Sequence, residues 1–160
     1  MAPPLEGRVL LVEDDPALGP LIKMACDDFG YTADLATTGD QAQALLEKNG
    51  LDTYCLAWLD QNFPSSIPAY GSGASIARQI RTLEQEANES NTNRTRSNST
   101  EPNPTKIQRM TLVISSGYTS HITEARRDTK NLNAILHIPK PFRLEALQSI
   151  LKGTYQEPQP

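Results

Sequence analysis

Residues 8–14 read RVLLVED, an almost wholly apolar run that ends in two acidic residues. An apolar run this short, without polar alternation, is typical of a strand that is buried on both faces of a sheet. Three later runs also end in polar residues: YCLAWLD at 54–60, LVISS at 112–116 and ILHIPK at 135–140. In an open α/β sheet, ligands bind at the carboxyl ends of the strands. The sequence therefore predicts a parallel sheet with a polar site along one edge.

Helical patterns alternate with these strands. Asp15 and Pro16 are residue types preferred where a helix begins, and Gly30 is typical of the position just after a helix ends. After a first strand at 8–12 and this first helix, the predicted strands are 31–36, 53–59, 111–115 and 134–138, and the predicted helices are 39–48, about 72–86, about 120–130 and 144–151.

Five alternations of strand and helix predict an α/β fold, a three-layer (βα)5 sandwich with helices on both faces of a parallel sheet. The flavodoxin-like strand order 2-1-3-4-5 is the common arrangement for five strands. This order brings the ends of the first and third strands together, so Asp14 and Asp60 would be neighbours.

The length of 160 residues suits one domain, which we expect at 7–153, between tails at 1–6 and 154–160. Residues 85–105 consist mainly of Asn, Ser, Thr, Glu and Arg, with almost no apolar residue. Such a segment buries too little apolar surface to offset the entropy of ordering. We therefore predict a disordered insertion between the third helix and the fourth strand.

Charge and hydropathy exclude several classes of function. The net charge is −4 and no basic block stands out, so we expect no direct binding to nucleic acid. No apolar stretch approaches the roughly 20 residues of a membrane span, and the first residues do not resemble a secretory signal. These features predict a cytoplasmic protein that does not bind a membrane.

Acidic residues dominate the predicted polar edge. Glu13 and Asp14 repel each other unless a cation is bound, and a carboxylate at Asp60, ending a buried strand, is costly unless it is paired or coordinated. Mg²⁺ takes hard oxygen ligands, commonly one or two carboxylates together with phosphate oxygens. Asp14, Asp60 and the backbone carbonyl of Asn62 are candidate ligands. The second oxygen of Asp60 is a candidate nucleophile for aspartyl-phosphate chemistry.

Two further residues suit a phosphoryl group. The Ser116 hydroxyl can donate a hydrogen bond to a phosphoryl oxygen, and Gly117 beside it leaves room for one. Lys140 is a compact positive charge of the kind that binds phosphate. Pro141 follows it and is a candidate for a cis peptide bond, which would fix the direction of the lysine.

The motifs VLLVEDDP, LAWLDQNFP, LVISSGY and IPKPF occur in this order between residues 7 and 152. These motifs and their order resemble those of the receiver domain of two-component response regulators, the CheY-like family. The resemblance implies that Asp60 accepts a phosphoryl group from a histidine of a sensor kinase or phosphotransfer protein, in a Mg²⁺-dependent reaction. It also implies that Asp14 and Asp60 bind the metal directly with the Asn62 carbonyl, and that Glu13 acts through water.

The same resemblance assigns roles to the remaining residues. Lys140 would pair with the phosphoryl group, and Ser116 would move to hydrogen-bond it. His137 stands where the family usually has an aromatic switch residue, and Tyr118 lies where attacking water enters. The domain would catalyse its own phosphorylation and its own slow dephosphorylation, rather than act as a conventional enzyme. Phosphorylation would then switch a face near strands four and five that binds a downstream effector protein.

Two other functions fit part of this pattern. One is a receiver-like module that binds proteins without being phosphorylated. The other is a phosphatase of the haloacid-dehalogenase type, which needs a second aspartate two residues after the first, where this chain has Asn62. A flavodoxin proper is excluded because its phosphate loop after strand one is rich in hydroxyl and amide groups, whereas this chain has three acids there.

Overall fold

A computed structural model describes residues 5–97, 108–132 and 135–156, and it shows one five-stranded parallel sheet with the order β2-β1-β3-β4-β5. This confirms the predicted α/β fold and strand order. The strands are β1 (Arg8–Val12), β2 (Ala33–Ala36), β3 (Tyr54–Asp60), β4 (Thr111–Ser116) and β5 (Ile135–Pro139). The helices are α1 (Leu18–Asp28), α2 (Gly39–Asn49), α3 (Gly73–Ser97), α4 (Thr119–Asp128) and α5 (Leu144–Leu151), and short 3-10 turns lie at Leu51–Thr53 and Pro68–Tyr70.

The sheet separates two hydrophobic clusters. On one face, α2 and α3 pack through residues such as Leu46 and Ile80. On the other face, α1 and α5 pack through residues such as Ile22 and Leu147. Strand β3 lies between β1 and β4, and all seven of its residues are buried. Its continuous apolar sequence is therefore explained by helices on both faces.

Asp15 sets the direction of the chain after β1. Its Oδ1 accepts hydrogen bonds from the backbone N–H groups of Ala17 at 2.8 Å and Leu18 at 2.9 Å. This is the helix-capping role predicted for Asp15, although the hydrogen-bonded helix begins at Leu18 and Pro16 lies in the turn before it. Because the Asp15 carboxylate is used in these hydrogen bonds, the acids at the end of β1 that remain as candidates for the polar site are Glu13 and Asp14.

Helix α3 is longer than the sequence predicts. It extends to Ser97 instead of ending at about Glu86, so the first part of the predicted disordered insertion, residues 85–97, is helical. Residues 98–105 lie outside the described residues. Within this extension, side chains bond one turn away along the helix: Gln85 Nε2 donates to Glu89 at 2.8 Å, and Ser90 Oγ donates to the Glu86 carbonyl at 2.9 Å.

Residues from both predicted tails contact the core. The backbone N–H of Leu5 donates to the Leu151 carbonyl at 2.8 Å, and the side chains of Leu5 and Tyr155 pack against the α1 and α5 cluster. Packing therefore extends slightly beyond the predicted limits of 7–153. Within the described parts of the chain, every helix is too short or too polar to cross a membrane.

Candidate functional site

Three carboxylates meet at the carboxyl edge of the sheet. One oxygen each from Glu13, Asp14 and Asp60 lies within 4.8 Å of the others. Glu13 is only 1% exposed and Asp60 7% exposed, whereas Asp14 faces solvent. The neighbouring positions of β1 and β3 in the sheet account for this meeting, as the predicted strand order required.

Lys140 supplies the positive charge within this acidic cluster. Its Nζ lies 2.7 Å from Glu13 Oε2 and 3.2 Å from Asp60 Oδ1. Its backbone N–H donates to the Ser116 carbonyl at 2.8 Å, which ties the end of β5 to the end of β4. The Lys140–Pro141 peptide bond is cis, as predicted.

The pKa values of these groups reflect burial and mutual charge. Burial raises the pKa of Glu13 and of Asp60 above their ordinary values, and the contact with Lys140 opposes that rise without cancelling it. Burial lowers the pKa of Lys140, but the hydrogen bond to Glu13 and the charge of Asp60 outweigh it, so that pKa is raised. The lysine thus stays charged while the buried carboxylates resist ionisation.

Ser116 is buried at the end of β4, and its Oγ accepts a hydrogen bond from the backbone N–H of Tyr118 at 3.3 Å. The preceding residue was not singled out by the sequence analysis: Ser115 Oγ accepts from Trp58 Nε1 at 3.2 Å. The Trp58 ring also packs against Phe142, with centroids 4.8 Å apart. Trp58 lies two residues before Asp60. Because side chains alternate between the two faces of a strand, this spacing could have been used to predict that both lie on one face.

Helix α3 begins against the backbone of Asp60. A Cβ added to Gly73 would lie 2.5 Å from the Asp60 carbonyl oxygen, so only glycine permits this approach. The side chain of Gln61, also missed by the sequence analysis, is buried, and its Oε1 accepts from the backbone N–H of Ala74 at 3.1 Å. These contacts hold the start of α3 next to the candidate nucleophile.

Asn62 takes part in a side-chain contact that spacing alone did not predict. Its Nδ2 donates to His121 Nδ1 on α4 at 2.7 Å. The His121 ring lies 4.9 Å from the ring of Tyr118, measured between centroids. Tyr118 is 68% exposed. The loop after β3 is therefore connected to the start of α4, and the role of the Asn62 carbonyl as a metal ligand stays a prediction.

His137 contacts α4 and is not part of the acidic cluster. It is half-buried on β5, and its Nε2 lies 3.1 Å from Oγ1 of the buried Thr129. The Thr129 hydroxyl donates to the Ala125 carbonyl at 2.7 Å, so its oxygen accepts from the histidine N–H. The structure thus brings together Glu13, Asp14, Asp60 and Lys140, with Ser116 joined to them through the backbone of Lys140.

The sequence matches no protein-family model. The structure is similar to a CheY-like response regulator receiver domain protein from Methanospirillum hungatei, with a TM-score of 0.65, 21% identity and coverage of 92% of this chain and 91% of that one. It is also similar to the chemotaxis protein CheY4 of Vibrio cholerae, with a TM-score of 0.64, 19% identity and coverage of 93% and 98%.

A third similar structure is a co-crystal of the Saccharomyces cerevisiae histidine phosphotransfer signaling protein Ypd1 with the receiver domain of its downstream response regulator Ssk1. Its TM-score is 0.64, with 19% identity and coverage of 94% of this chain and 89% of that one. At these identities the likeness establishes the fold. The chain therefore has the fold of CheY-like response regulator receiver domains, which confirms the resemblance found in the sequence.

Proposed function

We propose that this protein is a phosphoacceptor receiver domain of a two-component or phosphorelay signalling system. The observation that carries the proposal is the cluster of Glu13, Asp14 and Asp60 around the ammonium group of Lys140, at the carboxyl edge of a receiver fold. Asp60 is the proposed acceptor because it ends the central strand β3 and has two carboxylate oxygens. Oδ1 contacts Lys140, and the other oxygen can act as the nucleophile.

The residues present fit a divalent cation. Three carboxylates and one ammonium group leave two negative charges uncompensated when all are ionised. Burial is the main cause of the raised pKa values of Glu13 and Asp60, and the neighbouring carboxylates add to the rise. Oxygen donors of this kind suit Mg²⁺. Asp14, Asp60 and the Asn62 carbonyl would hold the ion, with Glu13 acting through water. When bound, it would supply neutralising charge and polarise a phosphoryl oxygen.

In the proposed transfer, an Asp60 carboxylate oxygen forms a bond to phosphorus while the phosphorus–nitrogen bond of a phosphohistidine breaks. The electron pair of that bond stays on the histidine nitrogen. Lys140 lies close enough to Asp60 to pair with the transferred group, and the Ser116 hydroxyl would donate to it after leaving the Tyr118 N–H. Positioning and charge stabilisation supply most of the catalysis in reactions of this type.

The proposed partners are a histidine kinase or a histidine phosphotransfer protein as donor, and a downstream effector protein. Support for the donor comes from the fold alone, because one similar structure is the receiver domain crystallised with a histidine phosphotransfer protein. We place the effector surface near α4 and β5, because the contact between His137 and Thr129 joins β5 to the end of α4.

Intact-mass measurement after incubation with acetyl phosphate and Mg²⁺ tests this function. We expect one added phosphoryl group, and none with excess chelator or in Asp60→Asn. Borohydride trapping and peptide mapping should locate the modification at Asp60. Asp28→Asn, which removes an exposed carboxylate on α1, is the matched control and should be modified normally.

A folded protein that gains no phosphoryl group from acetyl phosphate, or from a phosphorylated histidine phosphotransfer protein, would contradict the proposal. That result would favour a receiver-like module that binds proteins without phosphorylation. Steady release of phosphate from small phosphoesters would instead favour a phosphatase.

A further inference from the structure

A groove lies between α2 and α3, away from the acidic cluster. Its volume is about 490 Å³, within the range of about 300–1,000 Å³ typical of small-molecule sites. Its apolar lining comes from both helices and from the turns between them: Leu46, Leu51, Ile67, Tyr70, Leu83 and Ala87.

The loop that follows Asp60 forms one wall of this groove and is held in place by the start of α2. The backbone N–H of Gly39 donates to the Pro64 carbonyl at 2.9 Å. The Asp40 carboxylate accepts from both the backbone N–H and the hydroxyl of Ser66. A Cβ at Gly39 would lie 1.9 Å from the Tyr70 carbonyl oxygen, so the loop approaches the helix as closely as glycine permits.

A groove whose wall is fixed in this way needs little ordering before a ligand enters, which favours binding. The part of the loop that contacts α2 lies past Asn62: the hydrogen bonds of Pro64 and Ser66 go to Gly39 and Asp40 and not to the acidic cluster. The groove is therefore a second candidate site, separate from the one that holds Asp60.

The charge at the rim indicates what kind of ligand fits. Gln43, Glu47 and Gln79 are the most polar side chains of the lining, and among the described residues that line the groove only Glu47 is charged. Its carboxylate accepts from Gln43 Nε2 at 2.7 Å. No lysine or arginine in the described parts of the chain forms an ion pair with it.

We propose that the α2–α3 groove binds a small organic cation. The apolar body of the ligand lies between Leu46 and Leu83, and its protonated amine lies at Glu47. An exposed carboxylate without a cationic partner attracts such an amine and repels an anion of the same shape. The proposal does not depend on phosphorylation of Asp60.

Two probes with the same apolar body and opposite charges test this proposal: 1-naphthylethylamine and 1-naphthylacetate. Titration of each into the isotope-labelled protein, followed by two-dimensional amide NMR, gives both the affinity and the location of binding. We expect the amine to bind about two- to fivefold more tightly at low salt, as a rim ion pair allows. Amide shifts should concentrate at residues 43–51, 67–70 and 79–87.

Variants separate the two parts of the site. Glu47→Gln should bring the affinity ratio of the two probes to about one, while Glu89→Gln, an exposed carboxylate two residues past Ala87 on α3, should leave it unchanged. Leu83→Asp should remove binding of the acid probe, since it places a charge against the apolar body. Gly39→Ala should weaken both probes because the loop must move away from α2.

Equal binding of the two probes, an unchanged ratio in Glu47→Gln, or amide shifts outside the groove would each overturn the proposal. Absence of binding in the folded wild type would also overturn it. Sedimentation experiments test one further alternative. If the wild type is a dimer and Leu83→Asp dissociates it, the groove binds a second copy of the chain instead. Phosphorylation by acetyl phosphate, measured on the same samples, shows independently whether Asp60 is functional.

Discussion

The carboxylate of Asp60 is buried beside two other acids, and the fold bears a free-energy cost for holding it there. Burial raises its pKa because the charged form loses hydration, and the single contact with Lys140 does not restore the ordinary value. A carboxyl group with a raised folded-state pKa contributes stability below its unfolded pKa, which is lost as pH rises through the folded value.

Asp60→Asn should therefore stabilise the metal-free protein at neutral pH. We expect a gain on the order of 1 kcal/mol at pH 7, which shrinks as pH falls below about 4, the ordinary aspartate pKa, because the wild-type group is then protonated in both states. Urea unfolding at several pH values measures this difference. Added Mg²⁺ should stabilise the wild type and have little effect on the variant. Asp52→Asn, at an exposed carboxylate outside the acidic cluster, is the control.

The ring of Tyr118 is the second feature with a consequence at the residue scale. It packs against His121, which in turn accepts from Asn62 two residues after Asp60. If the proposed function holds, this cover should slow the entry of water to the aspartyl phosphate. Tyr118→Ala should shorten the acyl-phosphate lifetime several-fold, whereas Tyr118→Phe keeps the ring and should match the wild type. Intact-mass measurements over time give the rate of phosphate loss for the wild type and both variants. Equal lifetimes for all three proteins would contradict a role of the Tyr118 ring in excluding water.

Among the elements, α3 carries a buried ion pair, Arg81 and Glu84, that binds the backbone of Met110 just before β4. Arg81 Nη1 lies 2.8 Å from Glu84 Oε2 and donates to the Met110 carbonyl at 2.9 Å, while the Met110 N–H donates to Glu84 Oε1 at 2.7 Å. Both charged side chains are buried. The pair therefore positions the chain just before β4 begins, on its return from α3.

Removing one partner of this pair should destabilise the fold strongly, because the other charge stays buried. We expect Glu84→Ala to lower the free energy of unfolding by about 3–5 kcal/mol. Glu86→Ala, on the exposed side of the same helix, should change it by no more than about 0.5 kcal/mol. The double variant Arg81→Met/Glu84→Leu should recover only part of the loss, because it removes the unpaired charge but leaves the buried N–H and carbonyl of Met110 without these partners. Denaturant unfolding measures all three, and a small effect of Glu84→Ala would show that the pair is not important for stability.

The order of elements could be predicted from the sequence because apolar runs and helical spacing are local patterns. RVLLV and YCLAWL are short and apolar throughout, and the structure has them as β1 and β3. The length of α3 could not be predicted in the same way. The residues that follow Gln85 are polar and their composition suggests disorder, and contacts such as the hydrogen bond between Gln85 and Glu89 are visible only in the structure.

At the scale of the whole molecule, the two hydrophobic clusters share one sheet, so neither is expected to unfold alone. Trp58, the single tryptophan, is fully buried in the α1 and α5 cluster, whereas far-ultraviolet circular dichroism reports all the helices. We expect both signals to change at the same denaturant concentration, as in a two-state transition. A tryptophan signal that changes first would show that the α1 and α5 side separates earlier than the rest.

Much of the candidate site followed from one global property, the strand order. Once β1 lies beside β3, Asp14 and Asp60 must be close, and the sequence sufficed to predict it. The contact of Lys140 with Glu13 can be predicted only if the path of the chain after β5 is known. Likewise, the contact of Asn62 with His121 can be predicted only from the position of α4. Such contacts join residues far apart in sequence, and no local pattern marks them.

The central position of β3 has a consequence for the timing of local motions. Because β3 pairs with strands on both sides and all its residues are buried, its amide protons should exchange with solvent only when the whole domain opens. Asp60 is the last residue of that strand. A partner that modifies Asp60 would thus act on a group attached to backbone that we expect to be among the slowest to exchange in the described parts of the chain, so the reaction would leave the strand that carries the acceptor in place.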